Sequence, residues 1–460
     1  MSGGASLASY WAAQCWIDGF DGPDGAGGRA GIARDVRIVV GADGTIASVT
    51  AGTAPRAGDT ILRGVVYPSG VNAHSHAFHR LLRGRTHADG GSFWTWRDLM
   101  YAEAARLEPA SYERVATAVY AEMVAAGWTS VAEFHYVHHH PDGWPYEQEH
   151  AMERALANAA VAAGIRLTLL DTAYLAGGIG TPLSAEQQRF GDGSIETWIA
   201  RGRRLRAAFA DEYDPRTVIV GAALHSVRAV PATDLAIVAA ELDPHIPLHV
   251  HLSEQPAENE ACVAATGLTP TGLLHANGLL GPRLSAVHAT HLTAHDIELL
   301  GAAGSTIVMC PTTEADLGDG IGPARALADA GAVIALGTDQ HAVVDPLLEM
   351  RALEHGERLG SGRRGRFSPA ELLAAASTGG ATSVGRPLVG AIAVGAPCDL
   401  MELDPASSRT AGSDPGQLAL TATASDVRTV VIGGIVRARN GVHTGLGAPS
   451  DLLASGMESL

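Results

Sequence analysis

IPLHVHLS, residues 246–253, places His249 and His251 inside a short apolar run and leads directly into Glu254. A short apolar run flanked by polar turn residues reads as a buried strand. Working outward, seven further runs have the same character. Four precede it: GVVYPSGVNAH from Gly64, TSVAEFHY from Thr129, RLTLLDTAY from Arg166 and TVIVGAALHS from Thr217. Three follow it: LSAVHATHL from Leu284, STIVMCPTTE from Ser305 and AVIALGTDQ from Ala332. Ala-rich segments with helical spacing lie between them, among them SYERVATAVYAEMVAAG from Ser111 and EHAMERALANAAVAAG from Glu149. Eight strand–helix units predict a (β/α)8 barrel. The competing doubly wound sheet is weakened because no GxGxxG or Walker pattern follows the first run.

Most of these runs end in residues able to do chemistry: His74 and His76, Glu133 and His135, His225, His251, His288, and Asp339. A barrel carries its active site at the C-terminal ends of its strands, so these residues are expected to converge. His74 and His76 are two apart, and positions i and i+2 of a strand share a face. Later runs offer His249, His251 and Glu254, then His288 and His291, then Asp339 and His341. Two histidines of one strand, a third histidine and an aspartate make an N3O set. That set suits zinc with one position left for water. A metal so held lowers the pKa of its water to about 7.

These strings resemble the amidohydrolase superfamily: HxH after the first strand, HxxE after the fifth, His after the sixth and a G-T-D turn after the eighth. The fourth run ends in LHS, with no lysine for a second metal, which is similar to the one-metal deaminase branch. The resemblance implies His74, His76, His251 and Asp339 as ligands of one Zn2+ per chain, with Fe2+ or Mn2+ as alternatives. It implies Glu254 as proton shuttle, His288 as partner to the attacking water, and Asp339 as base as well as ligand. HSHAFHR (from His74), TSVAEFHYVHHHPDG (from Thr129), HSVRAV (from His225), HLSEQPAEN (from His251) and CPTTEADLGDG (from Cys310) resemble the formimidoylglutamate deiminase family. That resemblance implies a small dicarboxylate substrate, N-formimino-L-glutamate, hydrolysed to N-formyl-L-glutamate and ammonia in histidine breakdown. Its carboxylates would be held by Arg97, Tyr136 and Arg228, with His79 and His225 lining the pocket. Arginine suits this because its planar fork matches a carboxylate. His79 stands where the family pattern has Gln, and Gln340 where it has Ser.

Other histidines read as ordinary packing. His249, His291 and His341 are expected in supporting or core positions, and His138-His139-His140 is expected to open a loop before Pro141. Glu133 is read either as a partner of an active-site histidine or as a structural rim carboxylate. The segment around Trp94 and Trp96 is expected to cover the site as a lid or to come from a neighbouring subunit.

The two chain ends have a different texture. DVRIVVGADGTIASVT from Asp35 and DVRTVVIGGIVRARNG from Asp426 read as short strands with Gly/Asp turns. Residues 1–65 and 387–460 are expected to build one small β-sandwich domain beside a barrel of 66–386. The 460 residues are 46% hydrophobic and 18% charged, which is globular composition. A net charge of −17 argues against nucleic acid or an anionic membrane as partner. No apolar stretch reaches the ~18–20 residues of a membrane span. The start of the chain lacks the features of a signal peptide. Four scattered cysteines form no disulfide framework, so a cytoplasmic setting is expected. Barrels of this kind imply a homodimer.

Overall fold

The computed structural model describes residues 6–20, 29–87 and 93–460. Sixteen strands are described: β1 (Ser6–Phe20), β2 (Arg29–Gly41), β3 (Ile46–Thr50), β4 (Thr60–Pro68), β5 (Gly70–Ser75), β6 (Trp128–His135), β7 (Arg166–Ala173), β8 (Val218–Leu224), β9 (Leu248–Leu252), β10 (Leu284–His288), β11 (Thr306–Met309), β12 (Val333–Leu336), β13 (Leu400–Leu403), β14 (Val427–Ile432), β15 (Ile435–Arg439) and β16 (Val442–His443). They make two sheets of eight. One runs β5 to β12 in chain order with every pair parallel. The other runs β16-β15-β14-β13-β4-β1-β2-β3 and joins the two chain ends where β4 pairs antiparallel with β13.

Each of the eight runs read from the sequence supplies one strand of the first sheet, and helices separate these strands. Their residues are buried almost without alternation; β6, β7, β9 and β10 are buried throughout. Parallel strands covered on both faces lose the in–out alternation for this reason. The first run proves to be two strands in two sheets. Its GVVYP belongs to β4 and its GVNAH to β5, with only Ser69 between them. Both halves are buried and apolar, so the pattern alone does not mark the switch.

The barrel closes between β12 and β5. Ser75 and Asp339 form a parallel bridge. Thr338 and Asp339 donate their N–H groups to the His74 carbonyl at 3.1 and 3.0 Å, and His76 donates to the Asp339 carbonyl at 3.1 Å. Gly337 permits this approach, because a Cβ there would lie 2.7 Å from the His74 Cβ. The seam of the barrel therefore sets His74 and His76 against Asp339.

The helix Pro109–Ala126 leads into β6. It starts with Pro109 in its first turn and stops at Gly127, whose φ of 107° forms a left-handed cap. The second sheet encloses its own core of Tyr10, Ile38, Val40, Leu62, Val66, Leu400 and Val431. Each fully buried Val, Leu or Ile stabilises by about 1.5–3 kcal/mol relative to exposure. This core is built from both ends of the sequence, as the two β-rich textures suggested. Among the described residues no helix is long and apolar enough to cross a membrane.

Candidate active site

Four electron-pair donors converge at the closing seam. Nε2 of His74 and Nε2 of His251 face each other at 3.1 Å. Asp339 Oδ1 lies 3.4 Å from Nε2 of His74 and 3.4 Å from Nε2 of His76. The other ring nitrogens of two of these histidines fix the tautomers. His76 Nδ1 donates to the Phe134 carbonyl at 2.8 Å, and His251 Nδ1 donates to the His225 carbonyl at 2.9 Å. Their Nε2 atoms therefore carry lone pairs aimed inward. Lone pairs pointed at one another and at a carboxylate repel unless a cation sits among them. The three rings are also kept neutral, which is the metal-binding form. Burial, then the neighbouring imidazoles, hold His74 and His251 well below the ordinary histidine value and bring His76 to about 3. The residues fit a divalent metal of the zinc type.

His288 stands beside this group, its Nε2 3.9 Å from Asp339 Oδ2 and its Nδ1 3.5 Å from Glu314 Oε1. Burial opposes a charge on His288, but Glu254, Glu314 and Asp339 outweigh it and raise the imidazole to about 10. It is a group that can hold a proton next to Asp339. The backbone here is strained. Ser253, His288, Ala289, Asp339 and His341 all have φ between 42° and 68°. Only three other non-glycine residues among those described share that sign of φ. Such conformations cost about 1–3 kcal/mol each and persist where the surroundings enforce them.

A cavity of about 430 Å3 opens above the donors. It is lined by His76, His79, Arg97, Tyr136, His225, Arg228, His251, Glu254, His288 and Asp339, while His74 lies buried among the donors. The structure thus brings the expected metal, catalytic and substrate-binding candidates to one place, but of the strand-end residues expected to converge Glu133 is turned to Ser75 and Ala77 and His135 to Glu153, 3.5 Å from its Nε2, so neither lines the cavity. His79 Nε2 meets the Tyr136 hydroxyl at 3.0 Å. Arg228 lies between two carboxylates, Glu254 and Glu258, each at 3.6 Å and beyond hydrogen-bond reach. Its Nε–H is buried without a hydrogen-bond partner. Trp96 and Arg97, on the helix Phe93–Arg106, line the cavity as a cover supplied by the same chain. The Trp94 side chain lies outside the described residues.

The supporting histidines sort themselves by geometry. His249 Nε2 donates to the Ser383 carbonyl at 2.9 Å, away from the donor cluster. His291 Nε2 bonds the Asp319 carbonyl at 2.9 Å. His341 lies between Thr338 Oγ1 and Ser75 Oγ at 2.9 and 3.1 Å. Glu133 accepts from Ser75 Oγ at 2.7 Å and from the Ala77 N–H at 2.6 Å, so it pins the backbone on both sides of His76. Burial lifts its carboxyl to about 8. His138 is more than the opening of a loop, since it is buried against Glu153 at 2.8 Å. Glu314 and Glu258, which flank His288 and Arg228, were not singled out in the sequence. Neither has a spacing that marks it, and each becomes visible only through its partner.

Residues 65–436 match the amidohydrolase family model. The chain belongs to the amidohydrolase family. This amidohydrolase is 37% identical over 437 residues to the formimidoylglutamate deiminase of Pseudomonas aeruginosa, covering 90% of this chain and 93% of that one. It is 32% identical over 391 residues to the 8-oxoguanine deaminase of the same organism, covering 84% of each. Its structure superposes on an amidohydrolase of Brucella melitensis with a TM-score of 0.87 at 30% identity, covering 98% of this chain and 99% of that one.

Proposed function

We propose that this amidohydrolase hydrolyses N-formimino-L-glutamate to N-formyl-L-glutamate and ammonia. The observation that carries the reading is a single cavity holding a metal-type donor set at its floor and two arginines, Arg97 and Arg228, in its wall. The likeness to a formimidoylglutamate deiminase over nine-tenths of the chain supports it. The substrate has that shape of demand: an amidine carbon to be attacked at one end and two carboxylates to be held.

A divalent metal, proposed to be zinc, held by His74, His76, His251 and Asp339 supplies Lewis acidity that makes water nucleophilic near neutral pH. The remaining steps belong to side chains. Arg97 and Arg228 clamp the carboxylates, with Tyr136, His79 and His225 shaping the space between them. Asp339 accepts a proton from the attacking water, and His288, already protonated beside it, is the partner to the water oxygen. The water oxygen bonds to the formimino carbon. Glu254 delivers a proton to the imino nitrogen, the proton taken up by Asp339 follows it to the same nitrogen, and the new hydroxyl gives its proton back to Glu254 as the C–N bond breaks and ammonia leaves as a neutral molecule. The carbon is left as a formyl group on the glutamate nitrogen.

We propose further that the enzyme works in histidine breakdown, in the cytoplasm and as a homodimer, and that the two chain ends, expected as 1–65 with 387–460 but with β4 running on to Pro68, act as one domain beside the barrel. Ammonia release from N-formimino-L-glutamate by zinc-loaded protein tests the reaction, with guanine and 8-oxoguanine in parallel. Release from the formimino compound alone is expected. Release from a purine alone would overturn the reading and leave the arginines to bind some other anion.

A further inference from the structure

Gln340 follows Asp339 directly, and its buried side chain ties its own segment to two helices at the barrel mouth. The Trp96 indole N–H donates to Gln340 Oε1 at 2.9 Å. Gln340 Nε2 in turn donates to Asp316 Oδ2 at 2.7 Å. The other oxygen of Asp316 lies 3.1 Å from His87 Nε2. Trp96 is on the helix Phe93–Arg106, which follows β5; Asp316 is on the helix Pro311–Leu317, which follows β11; Gln340 follows β12.

The chemistry of this link is selective. An indole nitrogen only donates and a carboxylate only accepts. A side chain that joins them must accept at one atom and donate at another on the same short plane, which a carboxamide does. The network also fixes the orientation of the amide, because the reverse would set N–H against N–H and oxygen against oxygen. The Trp96 ring meets His79 edge to face at a centroid distance of 5.3 Å. Arg97, the next residue, lines the cavity.

We propose that Gln340 is a positioning residue for substrate: it latches Trp96 to Asp316 and thereby holds the helix Phe93–Arg106, with Arg97, over the cavity. Gln340 touches no reacting atom. Its effect on substrate passes through Trp96 to Arg97, and so rests on the reading of Arg97 as a carboxylate clamp.

The test uses the metal-loaded full chain with Q340A, W96F and the double variant. W96F keeps an aromatic ring but removes the indole N–H together with the five-membered ring, and it breaks the link from the other side, leaving the residue beside Asp339 in place. Each single variant is expected to raise KM for N-formimino-L-glutamate about tenfold, with kcat falling less than about threefold. The double variant is expected to be no worse than the worse single, since both remove one link. Hydrogen exchange supplies a readout that needs no substrate. Amides of the helix Phe93–Arg106 are expected to exchange about tenfold faster in Q340A, with β9 and β10 unchanged. Exchange of that helix at the wild-type rate, additive effects in the double variant, or loss of kcat at constant KM would each overturn the latch. A wild-type enzyme inert on this substrate would instead sink the functional reading, and the exchange experiment would still decide the latch.

Discussion

Two arginines in this molecule lie among buried carboxylates, and they do opposite things. Arg201, on the helix Ile195–Glu212, is saturated. It reaches Asp171 at 2.7 Å, Asp192 at 2.7 Å and Glu153 at 3.0 Å, and only 8% of its side chain is exposed. Arg228 has its nearest carboxylates at 3.6 Å, and 27% of its side chain remains exposed. The contrast extends to the histidines. His135, His138 and Glu153 stand close enough to hold a metal, as do the donors around Asp339. In the first group a guanidinium already supplies the cation. In the second, no arginine or lysine contacts the converging lone pairs among the described residues. Cavity size does not separate them, since the groove beside Arg201 has about 650 Å3 against about 430 Å3 at the donors. A site is told from a structural knot by whether its charges are already answered.

The strongest way to break this comparison is to take away the metal. Chelation, or Asp339→Asn, is expected to abolish ammonia release, while metal analysis finds one zinc per wild-type chain and the Arg201 knot holds none. Zinc bound at His135, His138 and Glu153 would show that the guanidinium does not substitute for it. Next in size, Glu254→Gln is expected to lower kcat about 10^2–10^4-fold with metal content unchanged, the usual range for a general acid. An unaltered kcat would remove Glu254 from the reaction.

Arg201→Met is expected to cost about 3–5 kcal/mol of unfolding free energy in urea, because it strands buried carboxylates without a partner. The same variant should keep KM and zinc content. Arg228→Ala is expected to do the reverse: little change in stability, and KM raised roughly 10–100-fold, the worth of a charge-assisted hydrogen bond of about 1.5–3 kcal/mol. If Arg228→Ala unfolds the protein and Arg201→Met raises KM, the two assignments are exchanged.

The smallest effect is in pH. Burial pushes Glu153 and Asp192 up, but their partners outweigh it and hold both below the ordinary carboxylate range. For Glu153 these are His135, His138 and Arg201; for Asp192 they are Arg201 and His139. A depressed carboxylate stabilises fully above its unfolded pKa and loses that contribution as pH falls. Asp171, which burial lifts to about 6, opposes this over the range above its ordinary 3.8. The stability difference between wild type and Arg201→Met is therefore expected to be largest near neutrality and to shrink as the pH falls. A difference independent of pH would assign Arg201 to packing rather than charge.

Much of this was legible along the chain. The eight barrel strands were readable because parallel strands buried on both faces make compact apolar runs. The candidate donors were readable because chemistry at strand ends leaves His and Asp at abrupt polar stops: His74 and His76, His251, Asp339, with His288 beside them. Three things were not legible. The switch from β4 to β5 at Ser69 is hidden because both strands are equally apolar. The task of His138 depends on Glu153 and Arg201, which are distant in sequence. Gln340 looks like any polar residue after Asp339 until Trp96 and Asp316 are seen on either side of it.

The sequence by itself determined which residues could carry metal chemistry, in what order they occur and on which kind of scaffold, since these depend on residue type and local period. Only the tertiary structure decided which charges are already paired. The seam between β5 and β12 turns His74, His76 and Asp339 toward one point, and the packing of the helix Ile195–Glu212 delivers Arg201 to its carboxylates. Charge compensation acts over a few ångströms through space, and residues that meet there can be a hundred or more positions apart along the chain, as His74 and His251 are.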